Sequence, residues 1–95
     1  MSISLSISVT DAVARNILLS WSDTNFNPDP PTNYQIYFNM DGGGWTLWKD
    51  TGYSVEYEYD YGLTQGITWG YYVYNADSLE SSNADYVYFG INYSD

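Results

Sequence analysis

Apolar and polar side chains alternate with a period of two along most of this chain. No other feature constrains it more, because only an extended strand with one buried face repeats every second residue. In residues 2–9, Ile3, Leu5, Ile7 and Val9 share one face, and Ser2, Ser4, Ser6 and Ser8 share the other. Residues 16–22 repeat the pattern with Ile17, Leu19 and Trp21 facing in. Tyr34, Ile36 and Phe38 alternate with Gln35, Tyr37 and Asn39, and Tyr53, Val55, Tyr57 and Tyr59 alternate with Ser54, Glu56, Glu58 and Asp60. Residues 45–49, 67–76 and 84–91 supply three more strands, the middle one apolar on both faces. Helical spacing with caps is absent.

Turn residues separate these runs. Pro28, Pro30 and Pro31 make residues 23–32 a loop, since proline cannot donate to a ladder. Asp41, Gly42, Gly43 and Gly44 form a hairpin turn whose glycines permit positive φ. Residues 62–66 mark a corner and 77–83 a polar turn. Seven short strands in 95 residues predict an all-β fold, a seven-stranded antiparallel β-sandwich, with residues 1–95 as a single domain.

An ordered set of landmarks resembles the fibronectin type III family over nearly the whole chain. Trp21 stands where that family has its second-strand tryptophan, and Tyr34 with Ile36 looks like the third-strand tyrosine and its partner. The run from Leu63 through Gly66 to Trp69 is similar to the leucine, glycine, aromatic spacing that enters the sixth strand, and Glu80, Ser81 and Ser82 are similar to the polar segment before the last. The resemblance implies two sheets, strands one, two and five against three, four, six and seven. Trp69 departs from it: the family usually has a tyrosine there whose hydroxyl bonds back to backbone, and an indole donates only through its ring nitrogen. An immunoglobulin-like sandwich of another topology is the competing fold. Neither implies an activity.

The composition removes most catalytic chemistry. With no His and no Cys the chain cannot build a Ser-His-Asp or Cys-His relay, a zinc site of the usual ligands, or a disulfide. No cofactor is expected, and the expectation is a non-enzyme. The Gly42 to Gly44 run lacks the helix and lysine of a phosphate loop. Glu56, Glu58 and Asp60 share a strand face, but a straight strand spreads its carboxylates along a line where calcium wants oxygens converging on a point. A solvated face is expected. Asn92, Tyr93 and Ser94 match a glycosylation acceptor at the terminus, a pattern that chance explains.

Charge sorts the partners. Twelve acidic against two basic residues give a net −10, which repels nucleic acid. Apolar runs stay far below the roughly 18 residues of a membrane helix, and the first ten residues alternate instead of forming a signal peptide.

The two outer faces are expected to differ. The first sheet shows Ser2, Ser4, Ser6, Ser8, Asn16, Ser20, Ser22, Glu56 and Glu58 to water, with Leu18 an exception. The second shows Tyr37, Tyr72 and Tyr74, then either Tyr86 and Tyr88 or Val87 and Phe89 depending on register, and one of Trp45 and Trp48. Exposed aromatic patches of this kind mark interfaces, although cross-strand tyrosines also stabilise a sheet. The candidate interaction surface is therefore Tyr37, Trp48, Tyr72, Tyr74, Tyr86 and Tyr88. A small, acidic, cysteine-free sandwich that looks complete resembles decoration or tail-associated proteins of bacteriophage particles. The expected role is thus a virion component, on the virion surface, that docks on a capsid or tail protein or on itself. The alternatives are a carbohydrate-binding module using Tyr37, Tyr72, Tyr74 and Trp48, a domain excised from a larger extracellular surface protein, and a designed binder.

Overall fold

The computed structural model describes residues 3–27, 32–52 and 54–90. The three prolines of the loop, Ser2, Tyr53 and the acceptor pattern at Asn92 lie outside them. Within the described residues there are eight strand segments and no helix: β1 (Ile3–Asp11), β2 (Asn16–Asp23), β3 (Tyr34–Met40), β4 (Thr46–Asp50), β5 (Tyr57–Asp60), β6 (Thr68–Asn75), β7 (Glu80–Ser81) and β8 (Asp85–Tyr88). All pairings are antiparallel. One sheet runs β1-β2-β5. The other runs β4-β3-β6-β7, with β8 also on β6, which is the division the family resemblance implies.

The count exceeds seven because a short strand, β7, precedes the expected last one, β8. β7 and β8 both pair with β6 and are interrupted at residues 82–84. At the break the Ser82 hydroxyl takes over as acceptor for Val73 N–H (2.9 Å), while Ser82 N–H donates to Val73 O (2.8 Å). The stretch expected as a purely polar turn thus holds β7.

The core lies between the sheets. Ile3, Leu5, Ile17, Leu19 and Trp21 from one face meet Tyr34, Ile36, Tyr71, Val73 and Phe89 from the other, with Leu63 at the corner. Each aliphatic side chain removed from water contributes roughly 1.5–3 kcal/mol. Trp21 packs edge-on against Tyr34 with centroids 5.5 Å apart. Val9, expected in this set, is 48% exposed. It lies at the end of β1 beside a bulge between Val9 and Asp11, where the extra residue twists the strand away from the opposing sheet.

Carboxylates inside the sandwich are hydrogen-bonded. Asp23 ends β2 on the buried face, where its Oδ2 accepts from Tyr34 O–H and from Asn75 Nδ2, both at 2.8 Å. At the opposite side Asp60 Oδ2 accepts from Tyr71 O–H at 2.7 Å. Burial first, then the bonded carboxylate, pushes both phenols well above the usual tyrosine range. Trp69 also finds its corner bond: the indole N–H donates to Thr64 O (3.1 Å), a backbone carbonyl five residues upstream.

Candidate interaction face

The outer face of the larger sheet is built on the central β3-β6 pair. Tyr37 lies opposite Tyr72, Gln35 opposite Tyr74 and Asn39 opposite Gly70. Since Tyr34, Ile36, Tyr71 and Val73 fill the core, their neighbours along the strands point out. The Tyr37 and Tyr72 rings stack with centroids 4.9 Å apart and planes 7° from parallel. Trp45, just before β4, meets Tyr72 edge-on at 4.8 Å. Tyr37 O–H donates to Gln35 Oε1 at 3.2 Å. Partial burial, then the neighbouring phenols of Tyr37 and Tyr74, pushes the Tyr72 phenol's pKa up, so that it holds its proton more tightly.

The register of β8 decides the alternative left open by the alternation. Val87 lies opposite Trp69 and packs on the core, and Phe89 is buried. Tyr86 and Tyr88 therefore take the outer face, opposite Gly70 and Thr68, at 53% and 55% exposure. The missing side chain of Gly70 makes room there. A Cβ at Gly70 would stand 2.6 Å from the Tyr86 ring and 2.5 Å from Asn39 Oδ1.

Of the six residues expected on this face, five are on it. Tyr37, Tyr72 and Tyr74 are half-buried by their neighbours, and Tyr86 and Tyr88 are open. Trp48 is not on it. The β3-β4 pairing steps from Ile36 with Lys49 to Tyr37 with Leu47, a bulge that leaves Trp48 unpaired and turns it inward onto Tyr71, centroids 6.1 Å apart. Trp45 and Leu47 stand on the outer side instead, 39% and 47% exposed. Nothing in the sequence distinguished Trp45 from Trp48, because a bulge breaks the alternation without a signature of its own.

The smaller sheet corrects a second expectation. Leu18 lies opposite Tyr59 and Ser20 opposite Tyr57, whereas the buried Ile17 and Leu19 lie opposite Asp60 and Glu58. Tyr57 and Tyr59 thus face water and the two carboxylates face the other sheet. Val55 still packs on the core, so the phase shifts at the bend on Glu56, whose carbonyl accepts from Trp21 N–H at 2.9 Å. Tyr57, Tyr59 and Tyr61 form a second exposed aromatic row, with successive centroids 5.9 and 6.1 Å apart. Glu58 forms an ion pair with Lys49 of the facing sheet at 3.0 Å.

Neither a protein-family model nor a curated protein matches this chain. Among solved structures the chain is similar to a twitchin kinase region from C. elegans containing Fn3 and Ig domains, with a TM-score of 0.58 and 18% identity. The likeness covers 94% of this chain but only 17% of that one. Together with the two antiparallel sheets it gives the fold: a β-sandwich of the immunoglobulin and fibronectin type III kind.

Proposed function

We propose that the chain is a fibronectin type III domain serving as a non-catalytic interaction module, which docks on a protein partner through the outer face of its larger sheet. The observation that carries this reading is the preassembled cluster of Tyr37, Tyr72 and Trp45, at 4.9 and 4.8 Å, flanked by the open rings of Tyr86 and Tyr88. Rings already held by one another lose little rotamer freedom on contact, so a partner gains apolar area at low entropic cost. The narrower role of a virion component rests on acidity and freedom from cysteine. Proteomics of purified particles tests that role, and their lacking the chain removes it.

Tyr72→Ser combined with Trp45→Ala is expected to abolish binding to a partner captured with the intact chain, and to lower self-association in sedimentation runs, without loss of the folded state. Unchanged binding and unchanged association would exclude this face. A glycan is the second reading, favoured by one feature: a shallow groove of about 350 Å³ where Trp45 and Tyr72 stand beside Ser81, Ser82 and Ala84. Aromatic rings stack on sugar rings while hydroxyls bond to theirs. Glycan-array binding that disappears in Trp45→Ala supports that reading, and a blank array rejects it.

A further inference from the structure

A second site lies on the other side of the same sheet. Phe38 and Met40 of β3, Trp48 of β4, Trp69 of β6 and Asp60 of β5 line a pocket of about 290 Å³ between the two sheets. The bulge that removes Trp48 from the outer face is what delivers its ring here. Phe38 and Trp69 are in ring contact at 6.0 Å, and Trp48 is braced by Tyr71, so the aromatic walls are held by the core.

We propose that this pocket binds an alkylammonium group. Its walls offer three aromatic rings, a thioether and a single charged side chain, the Asp60 carboxylate. Aromatic faces attract cations through the ring quadrupole, most strongly in tryptophan and when water is excluded. Trp48 already shows this attraction within the chain, where the Lys49 ammonium sits 5.4 Å from its ring centroid. Lys49 itself does not line the pocket.

The charge of Asp60 is left for a ligand. Its oxygens accept from two neutral donors, Tyr71 O–H at 2.7 Å and Tyr61 N–H at 2.9 Å. The only cationic side chains of the sequence are Arg15 and Lys49. Arg15 donates to the carbonyls of Leu63 and Val13, and Lys49 pairs with Glu58. A carboxylate has lone pairs for a further donor, and no cation of the chain reaches it among the described residues. Anions are repelled by Asp60 and by a net charge of −10, which concentrates cations at the surface. At about 290 Å³ the pocket falls at the small end of ligand sites and suits an ammonium head with a short stem.

The test follows the four indole N–H resonances of the chain by NMR during titration with choline and, in parallel, with its neutral isostere 3,3-dimethylbutan-1-ol. Choline is expected to shift the Trp48 and Trp69 resonances saturably, and the isostere to bind at least about tenfold more weakly. Asp60→Asn keeps an oxygen for the Tyr71 hydroxyl. It is expected to weaken choline about fivefold without changing the isostere. Trp45→Ala, on the outer face, leaves choline binding unaltered, which separates this site from the docking surface. Equal binding of choline and the isostere overturns the proposal, as do shifts confined to Trp45 or no saturable shift at all. Should Asp60→Asn fail to fold, the comparison of the two ligands on the unaltered chain still decides. A blocked Gly-Lys-Gly peptide that acts at lower concentration than choline assigns the site to a lysine of a partner, and the reverse order assigns it to a free organic amine.

Discussion

At the scale of single residues, small changes at crowded positions have consequences that alternation does not reveal. Gly70→Ala places a methyl 2.6 Å from the Tyr86 ring and 2.5 Å from Asn39 Oδ1. Overpacking of this kind costs about 1–3 kcal/mol. Urea unfolding is expected to show that loss, and the Tyr86 ring resonances to move as the ring is displaced. A lone glycine in an aromatic strand was the signal available in the sequence, since it marks a close approach of something to the backbone. What approaches was not legible, because it depends on the register of β8. The buried phenols give a pH dependence. Tyr34 and Tyr71 ionise from 10.0 in the unfolded chain and higher when folded. Their contribution to stability is therefore fully present below pH 10 and is lost as pH rises from there through the folded values. Thermal midpoints are expected to fall steeply above about pH 10. Tyr71→Phe is expected to flatten that fall, at a cost of about 1 kcal/mol near neutrality from the lost bond to Asp60. A slope identical to that of the unaltered chain would contradict the assignment.

At the scale of elements, the edges decide which parts of the sandwich are open. The outer edge of β1 is covered by side chains of the segment that joins β7 to β8 and enters β8. Leu5 N–H donates to Asn83 Oδ1 (2.8 Å), Asn83 Nδ2 donates to Leu5 O (3.0 Å), and Ile7 N–H donates to Asp85 Oδ2 (2.9 Å). An exposed edge invites pairing with another chain, and these three bonds close it. Asn83→Ala is expected to cost about 1–2 kcal/mol and to raise dimerisation through β1, read by sedimentation velocity against the unaltered chain. A strictly monomeric variant would show that Asp85 alone suffices. In the turn from β6 to β7, Leu79 holds a φ of 62° while 71% exposed. That conformation is strained for a branched side chain, so Leu79→Gly is expected to stabilise the domain by up to about 1 kcal/mol in urea titrations. The strand periods of β1, β2, β3 and β6 were legible because each turns a run of alternate apolar side chains into the core: Ile3 and Leu5, Ile17, Leu19 and Trp21, Tyr34 and Ile36, and Tyr71 and Val73. β5 was misread because its short run is in phase with Val55 across the bend at Glu56, and a slip of one residue exchanges the faces. β7 was hidden in the serines of the polar turn, whose hydroxyls can stand in for backbone partners or simply face water.

At the scale of the whole molecule, 12 acidic and 2 basic side chains on 95 residues make self-repulsion a term that every contact works against. Attraction within the chain does little to offset it. The Lys49–Glu58 pair has a lysine side chain 45% exposed, and a pair so placed contributes well under about 1 kcal/mol. Salt screens both, but the repulsion is spread over many pairs at long range, which salt removes first. The screening length falls from about 30 Å at 0.01 M to about 8 Å at 0.15 M, shorter than the molecule is wide. Added sodium chloride should therefore stabilise the fold, by on the order of 1 kcal/mol or roughly 4–8 °C in the thermal midpoint of a domain this size. Circular dichroism melts at neutral pH over a salt series check the sign. A falling midpoint would mean that local ion pairs outweigh the field. The same series separates the two proposed modes of contact. Binding of an ammonium at Asp60 draws on the field and weakens as salt rises, whereas docking through Tyr72 and Trp45 buries apolar rings and holds or strengthens. Opposite salt trends for choline and for a protein partner are thus expected from one molecule, because its two aromatic sites differ in whether a carboxylate stands among the rings.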